Sequence, residues 1–216
     1  MTFGDAQIAR LAELGAATVY EAHGQRYAID PAIKPLDPGT RLAGRAVTVR
    51  LDPADNWFIH IGLLHAGPGD ILVVDVGGYT DAGPWGDVLT LAAQQRGVAG
   101  LVIDGAVRDS RDIVAAGFPA FSRGVCIRRT TKRQPGEINV PVTIGGVPVH
   151  PGDILVGDAD GLVRVPHDEG PAALAAAEAR EAKEEDQRAR LEEGAWTVDL
   201  LGLPWPESVP QLPRDG

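Results

Sequence analysis

The stretch "WGDVLTLAAQQRGVAGLVIDGAVRDSRD", residues 85–112, decides how this chain folds, because it spells a helix and then a buried strand with charge at both ends. Val88, Leu91 and Ala92 stand in helical register behind Gly86-Asp87, and Gly97 ends the run, so Asp87 lies in a first helical turn. "AGLVIDGAV", 99–107, reads as one apolar strand that delivers Arg108 and Asp109 where it ends. The short turn Arg96-Gly97-Val98 forces helix and strand to run antiparallel. The strand's end therefore returns to the level of the helix's beginning, and Asp87, Arg108 and Asp109 can share one pocket.

Working outward, residues 5–24 read as one or two short amphipathic helices broken near Gly15, with Ile8, Leu11, Leu14 and Val19 on the packing side. Val47, Val49 and Leu51 alternate with Thr48 and Arg50, the pattern of a half-buried strand, and 56–67 is helical in spacing. The six letters "PGDILV" occur at 68–73 and again at 151–156. Their surroundings do not match, so this is one turn used twice rather than a repeat architecture. Short strands with Gly and Pro punctuation from 118 to 166 predict a second, mostly antiparallel sheet. Residues 168–193, with Pro171 near the start, form a long Ala/Glu/Arg helix, and a proline-rich arm follows. The whole is an α/β chain with a body over 1–166 and a C-terminal helix and arm over 167–216.

Composition narrows the function. A formal charge of −10 argues against a nucleic-acid surface, which needs a basic stripe. The single cysteine, Cys126, excludes an intrachain disulfide or a cysteine zinc site and reads as a small core residue. No apolar run reaches the roughly 18 residues of a membrane span, and the N-terminus has acids and helical spacing where a signal peptide would be basic and then apolar. The expected compartment is the cytoplasm. Ser110, Ser122 and Ser208 build no nucleophile elbow, and no glycine-rich loop ends in Gly-Lys. His60 and His65 diverge on a helix and, with His23, His150 and His167, read as packing or surface residues. Asp158-Ala159-Asp160-Gly161 reads as a hairpin turn rather than a calcium loop. Lys34, Lys132 and Lys183 sit in turns or on the charged helix, which disfavours a Schiff-base lysine.

The pocket at 85–112 carries the chemistry. Backbone N–H groups of Gly86, Asp87, Val88 and Leu89 at the positive end of a helix attract a carboxylate or phosphate, and Arg108 can grip the same anion bidentately. Asp109 supplies an oxygen for a hard cation such as Mg²⁺, and Asp87 is then free to hold a metal-bound water. Such a site suits an α-keto acid and its enolate. The same three charges also fit a helix N-terminal acid beside a loop ion pair, and spacing alone leaves both readings open.

Asp87, twenty intervening residues and then Arg108-Asp109 resembles the D-x20-R-D signature of the RraA-like family, and "PGDILVVDVGG", "GVAGLVIDGAVRD" and "GFPAFSRG" are similar to it too. The resemblance spans roughly residues 15–166. It implies a compact layered α/β sandwich like the swivelling β/β/α domains, here with a C-terminal helical extension, assembled as a homotrimer or a hexamer made of two trimers. It implies a class II pyruvate aldolase acting on 4-hydroxy-2-oxo diacids or triacids, with oxaloacetate decarboxylation as a side activity. Gly86, Asp87, Val88, Leu89 and Arg108 then bind the pyruvyl half, Asp109 is the Mg²⁺ or Mn²⁺ residue, and Asp87 takes part in proton transfer. A helix glutamate reaches a neighbouring subunit's site in the longer aldolases; among Glu178, Glu181, Glu184 and Glu185 the position favours Glu184. The family also contains regulators of RNA degradation, which bind a protein partner and lack that helix; a regulator is the alternative reading.

Overall fold

In the computed structural model, which describes residues 3–210, the sheet is organised around β2 (Leu42–Arg50). Before it come α1 (Asp5–Leu14), α2 (Ala16–Ala22) and β1 (Lys34–Pro35). After it the chain runs through α3 (Trp57–His65), β3 (Asp70–Asp75), α4 (Asp87–Gln95), β4 (Gly100–Asp104), β5 (Ala106–Val107), α5 (Ser110–Ala115) and β6 (Ala120–Ser122). The remaining strands are β7 (Gly124–Val125), β8 (Glu137–Ile138), β9 (Val142–Ile144), β10 (Val147–Val149), β11 (Ile154–Gly157) and β12 (Leu162–Val165). Two helices close the described chain, α6 (Gly170–Glu192) and α7 (Thr197–Leu200).

The main sheet has the order β1-β6-β4-β3-β2-β11-β12, with β8 on the end of β2. Strands β2, β3, β4 and β6 are mutually parallel and are linked through α3, α4 and α5. The second sheet expected over 118–166 is not what forms: β6, β8, β11 and β12 all join the main sheet, and in this region the β9–β10 hairpin and β7, which pairs with β5, stand apart from it. The reason is that β11 and β12 are buried along their whole length, and an open edge of β2 takes β11 in antiparallel register. The strand expected over 99–107 is also broken. The chain bends at Gly105, where a Cβ would overlap Val76 Cγ2 and lie 3.0 Å from the Tyr79 carbonyl, and resumes as β5 beside β7.

The two "PGDILV" copies are the same device. Gly69 and Gly152 take φ of +81° and +85°, and Asp70 and Asp153 each accept from the N–H three residues back, at 2.9 and 2.7 Å. The strands they launch flank β2 on opposite sides, one parallel and one antiparallel.

Alternation along the strands builds the layers. Leu72, Val74, Leu101 and Ile103 face α3, α4 and α5, where Ile59, Leu63, Trp85, Leu89 and Ile113 meet them. Ile71, Val73 and Val102 face the β9–β10 hairpin through Val142, Ile144, Val147 and Val149. The result is the hairpin, sheet and helix sandwich that the family resemblance implies. Each such apolar side chain contributes about 1.5–3 kcal/mol by leaving water. Thr48 departs from the half-buried pattern: the hairpin covers its face too, and its hydroxyl donates to the Val140 carbonyl at 2.6 Å. In α4 the buried residues are Leu89, Thr90 and Ala93, whereas Val88 and Leu91 point outward. Cys126 is half-buried rather than a core residue, between exposed Val125 and Ile127.

The compact body extends to Ala177, past the boundary at 166, because Ala173, Leu174 and Ala177 at the start of α6 pack with Phe3, Leu11 and Ile154. A second unit begins at Glu178. Within it Glu184 pairs with Arg180 at 2.7 Å, one helical turn away, and Glu181 with Arg188 at 3.0 Å. The arm is described to Pro210, with Trp205 Nε1 donating to the Val209 carbonyl; its last residues, 211–216, lie outside the described ones.

Candidate active site

Trp85 anchors the start of α4. It is fully buried, stacked on Phe118 at 5.9 Å, and donates through Nε1 to Thr90 Oγ1 at 2.8 Å. Its carbonyl accepts the Arg108 N–H at 2.8 Å, and that bond fixes the end of β5 against the start of the helix. Asp109 follows with φ of +52°, a left-handed conformation that an Asp tolerates better than most residues and that turns its carboxylate back toward Gly86.

Arg108 and Asp109 come to the start of α4, where Asp87 meets them through its backbone N–H. Asp109 Oδ2 lies 3.2 Å from Arg108 Nε and 3.4 Å from the Asp87 N–H. Gly86 permits this approach through space rather than backbone freedom, since its φ of −154° is open to any residue but a Cβ would overlap Asp109 Oδ2. The first α4 bond runs from the Thr90 N–H to the Gly86 carbonyl, so the N–H groups of Asp87, Val88 and Leu89 have no carbonyl partner within the helix. Arg108 and Asp109 remain partly exposed, with side chains 43% and 33% accessible, so a ligand can reach them.

Gly86, Asp87, Val88, Leu89 and Arg108 form one wall of a cavity of about 430 Å³, and Asp109 adjoins that wall through its bond to Arg108 without lining the cavity itself. The opposite wall holds Asn56, His60, Arg129, Thr130 and Lys132, and sequence reasoning gave none of these a place there. The signal was the i, i+4 spacing of Asn56 and His60, which puts both on one side of α3. Among the described residues Asn56 Oδ1 and His60 Nε2 are buried with no hydrogen-bond partner, as expected where a ligand or water bonds. Asn56 Nδ2 donates to the Pro84 carbonyl at 2.8 Å and so ties α3 to the segment before α4.

Burial, and after it the positive charge of Lys132, holds the His60 imidazole below its ordinary value of 6.5. The ring is therefore neutral at pH 7. An NMR titration is expected to place its midpoint below 6.5, and Lys132→Met should move it part of the way back up. A midpoint that Lys132→Met leaves unchanged would show that Lys132 does not act on the ring.

A second, larger cavity of about 490 Å³ lies at Arg50, Asp75 and Glu137. There Arg50 pairs with Glu137 at 3.0 Å, and Asp75 accepts from the Gly77 and Thr143 N–H groups. Elsewhere Lys34 donates to the Asp160 carbonyl and Asp158 caps α2 through the Ala16 N–H at 2.8 Å, so the 158–161 segment is a hairpin turn. Among the described residues no helix is long and apolar enough to cross a membrane.

With this geometry in place, residues 9–164 match the RraA-like family described as Aldolase/RraA. The chain belongs to the RraA-like family. Its relatives include a protein of Halalkalibacterium halodurans named "Putative 4-hydroxy-4-methyl-2-oxoglutarate aldolase", 37% identical over 77% of this chain and 79% of that one. Among solved structures, an uncharacterized protein of Pseudomonas syringae superposes with a TM-score of 0.82 at 28% identity, covering 93% of this chain and 99% of the other. An RraA protein of Streptomyces coelicolor, called an unusual member of the RNase ES inhibitor family, gives 0.77 at 30% identity over 86% and 98% of the two chains. The α/β sandwich is thus the RraA-like fold, and the D-x20-R-D residues of this member stand at one end of α4.

Proposed function

We propose that the chain is a divalent-metal-dependent aldolase that cleaves a 4-hydroxy-2-oxo diacid or triacid to pyruvate and a second keto acid. The observation that carries this reading is that Arg108 and the N–H end of α4 line one cavity, with the Asp109 carboxylate bonded to Arg108 Nε and to the Asp87 N–H. The name of the Halalkalibacterium halodurans relative supports it. In this reading the pyruvyl carboxylate sits on the N–H groups of Asp87, Val88 and Leu89 and on the Arg108 guanidinium, which together neutralise it. Asp87 receives the C4 hydroxyl proton through a water. The C3–C4 bond then breaks, C4 becomes a carbonyl, and the electron pair passes into the pyruvate enolate, whose negative charge Arg108 offsets. Protonation at C3 yields pyruvate. Loss of CO₂ from oxaloacetate leads to the same enolate, so decarboxylation is expected as a second activity of the site.

The donor set fits a hydrated hard cation. Asp109 offers one carboxylate, and among the described residues no cluster of three His, Cys, Asp or Glu side chains could enclose a metal. Mg²⁺ and Mn²⁺ accept such sites, with water and substrate oxygens filling the other positions. When bound at Asp109, the cation supplies Lewis-acid stabilisation of the enolate oxygen. Arg129 and Lys132 on the opposite wall give the distal half of an acidic substrate cationic company. The exposed apolar pair Val88 and Leu91 beside the cavity supports assembly as a trimer or as two trimers. Glu184 remains our first choice for a residue reaching a neighbouring site, and its pairing with Arg180 is the competing use.

The Streptomyces coelicolor neighbour favours one other reading, a non-catalytic regulator of an RNA-processing protein. Pyruvate release, coupled to lactate dehydrogenase with 4-hydroxy-4-methyl-2-oxoglutarate and with oxaloacetate, separates the two. Turnover with Mg²⁺ or Mn²⁺ that chelator removes is expected. No metal-dependent turnover on any 4-hydroxy-2-oxo acid or oxaloacetate would end the aldolase proposal.

A further inference from the structure

We infer that Asp55 is a positioning residue that holds the cationic wall of the cavity, the segment carrying Arg129, Thr130 and Lys132, against the start of α3. The inference rests on the reading of that cavity as the keto-acid site. Asp55 is 1% exposed and is not one of the residues that line the cavity. It accepts four hydrogen bonds instead. Oδ2 takes the Thr131 hydroxyl at 2.6 Å, the Arg133 N–H at 2.8 Å and the Gln134 N–H at 3.2 Å, while Oδ1 takes the Trp57 N–H at 2.8 Å. One side chain thus joins the 131–134 segment to the first turn of α3.

Two further observations make this the connection that matters. No side chain from Ile127 to Pro135 is buried, so apolar packing does not hold the segment in place. What holds it is polar: the Asp55 bonds, an exchange in which the Thr131 N–H donates to the Ala54 carbonyl at 2.8 Å and the Asn56 N–H to the Thr131 carbonyl at 3.1 Å, and the Gly83 N–H on the Arg128 carbonyl. Ala54 also sits at φ of +63°, a left-handed conformation unfavourable for a residue with a Cβ, and that turn is what aims Asp55 inward. Burial alone would raise the Asp55 pKa, but the bonds from Thr131, Trp57, Arg133 and Gln134 outweigh it and bring the group to about 2. The carboxylate is ionised at any working pH. Because Asp55 caps α3 through Trp57, Asn56 is released to face the cavity.

The test is Asp55→Asn in the full chain. An amide has the same shape but only one acceptor oxygen, so either its oxygen abandons one pair of elements or its NH₂ opposes the Arg133 and Gln134 N–H groups. Amide hydrogen exchange at 131–134 is expected to quicken by about 10-fold or more, the value of one lost charge-assisted bond, with β3 and β4 still protected. KM for 4-hydroxy-4-methyl-2-oxoglutarate should rise by a similar factor of about 10. Exchange of the pyruvate methyl protons in D₂O, which needs only the Arg108 wall, should change little. Thr131→Val should show the same pattern more weakly, and Thr131→Ser should restore wild-type behaviour. Unchanged exchange at 131–134, or equal losses in methyl exchange and cleavage, would overturn the inference. If Asp55→Asn does not fold, the Val and Ser variants at 131 carry the same comparison. A wild type that turns over nothing overturns the aldolase reading instead, and amide exchange still decides whether Asp55 holds the segment.

Discussion

Arg108→Ala is expected to lower kcat/KM for metal-dependent pyruvate release by about 10²–10³-fold or more, the scale seen when one donor to a developing oxyanion is removed. Arg108 lines the cavity at the start of α4 and bonds the Asp109 carboxylate, so under the proposed function its loss leaves the pyruvyl carboxylate and the enolate without their cationic partner. Its side chain is 43% exposed and its backbone N–H, which holds the Trp85 carbonyl, survives the substitution. The thermal midpoint should therefore shift little. Steady-state kinetics beside a thermal melt check both halves, and a variant with wild-type turnover would remove Arg108 from the site.

Gly86→Ala should be nearly as damaging to activity while adding only one methyl group. The new Cβ would overlap Asp109 Oδ2 and stand 3.1 Å from Arg108 Nε. Both are ends of side chains rather than backbone, so the structure yields by swinging the carboxylate and guanidinium away from α4. We expect a loss of about 10²-fold in kcat/KM, of the size that misplacing reacting groups by about 1 Å produces, and a weakened response to Mg²⁺ or Mn²⁺. Titrating the activity with metal separates this from unfolding, because the backbone at φ of −154° accepts alanine without strain. An unchanged metal response would mean that Asp109 is not where the cation binds.

Much of the site was legible in residues 85–112. A helix start, a short return turn and a strand end bring Arg108 and Asp109 to the first turn of α4, and Gly86, Asp87, Arg108 and Asp109 are all supplied by that one excursion of the chain. The sequence misled where burial has two sides. Val88 and Leu91 keep helical register but face outward, because Leu89, Thr90 and Ala93 are the residues beneath which the sheet lies. Periodicity gives the spacing of a face, not which face meets the core.

By itself the sequence determined the elements, the paired "PGDILV" turns and the near wall of the cavity, since each depends on residues close along the chain and on local backbone geometry. Only the tertiary structure decided that β11 and β12 join the main sheet, that Asn56 and His60 share a cavity wall with Lys132, and that Asp55 ties their two segments together. Those pairings join segments far apart along the chain, Asp55 and Thr131 being 76 positions from one another, and which edge of β2 pairs, or which loop a buried carboxylate accepts from, follows from the closing of the sheet and not from any pattern within either segment.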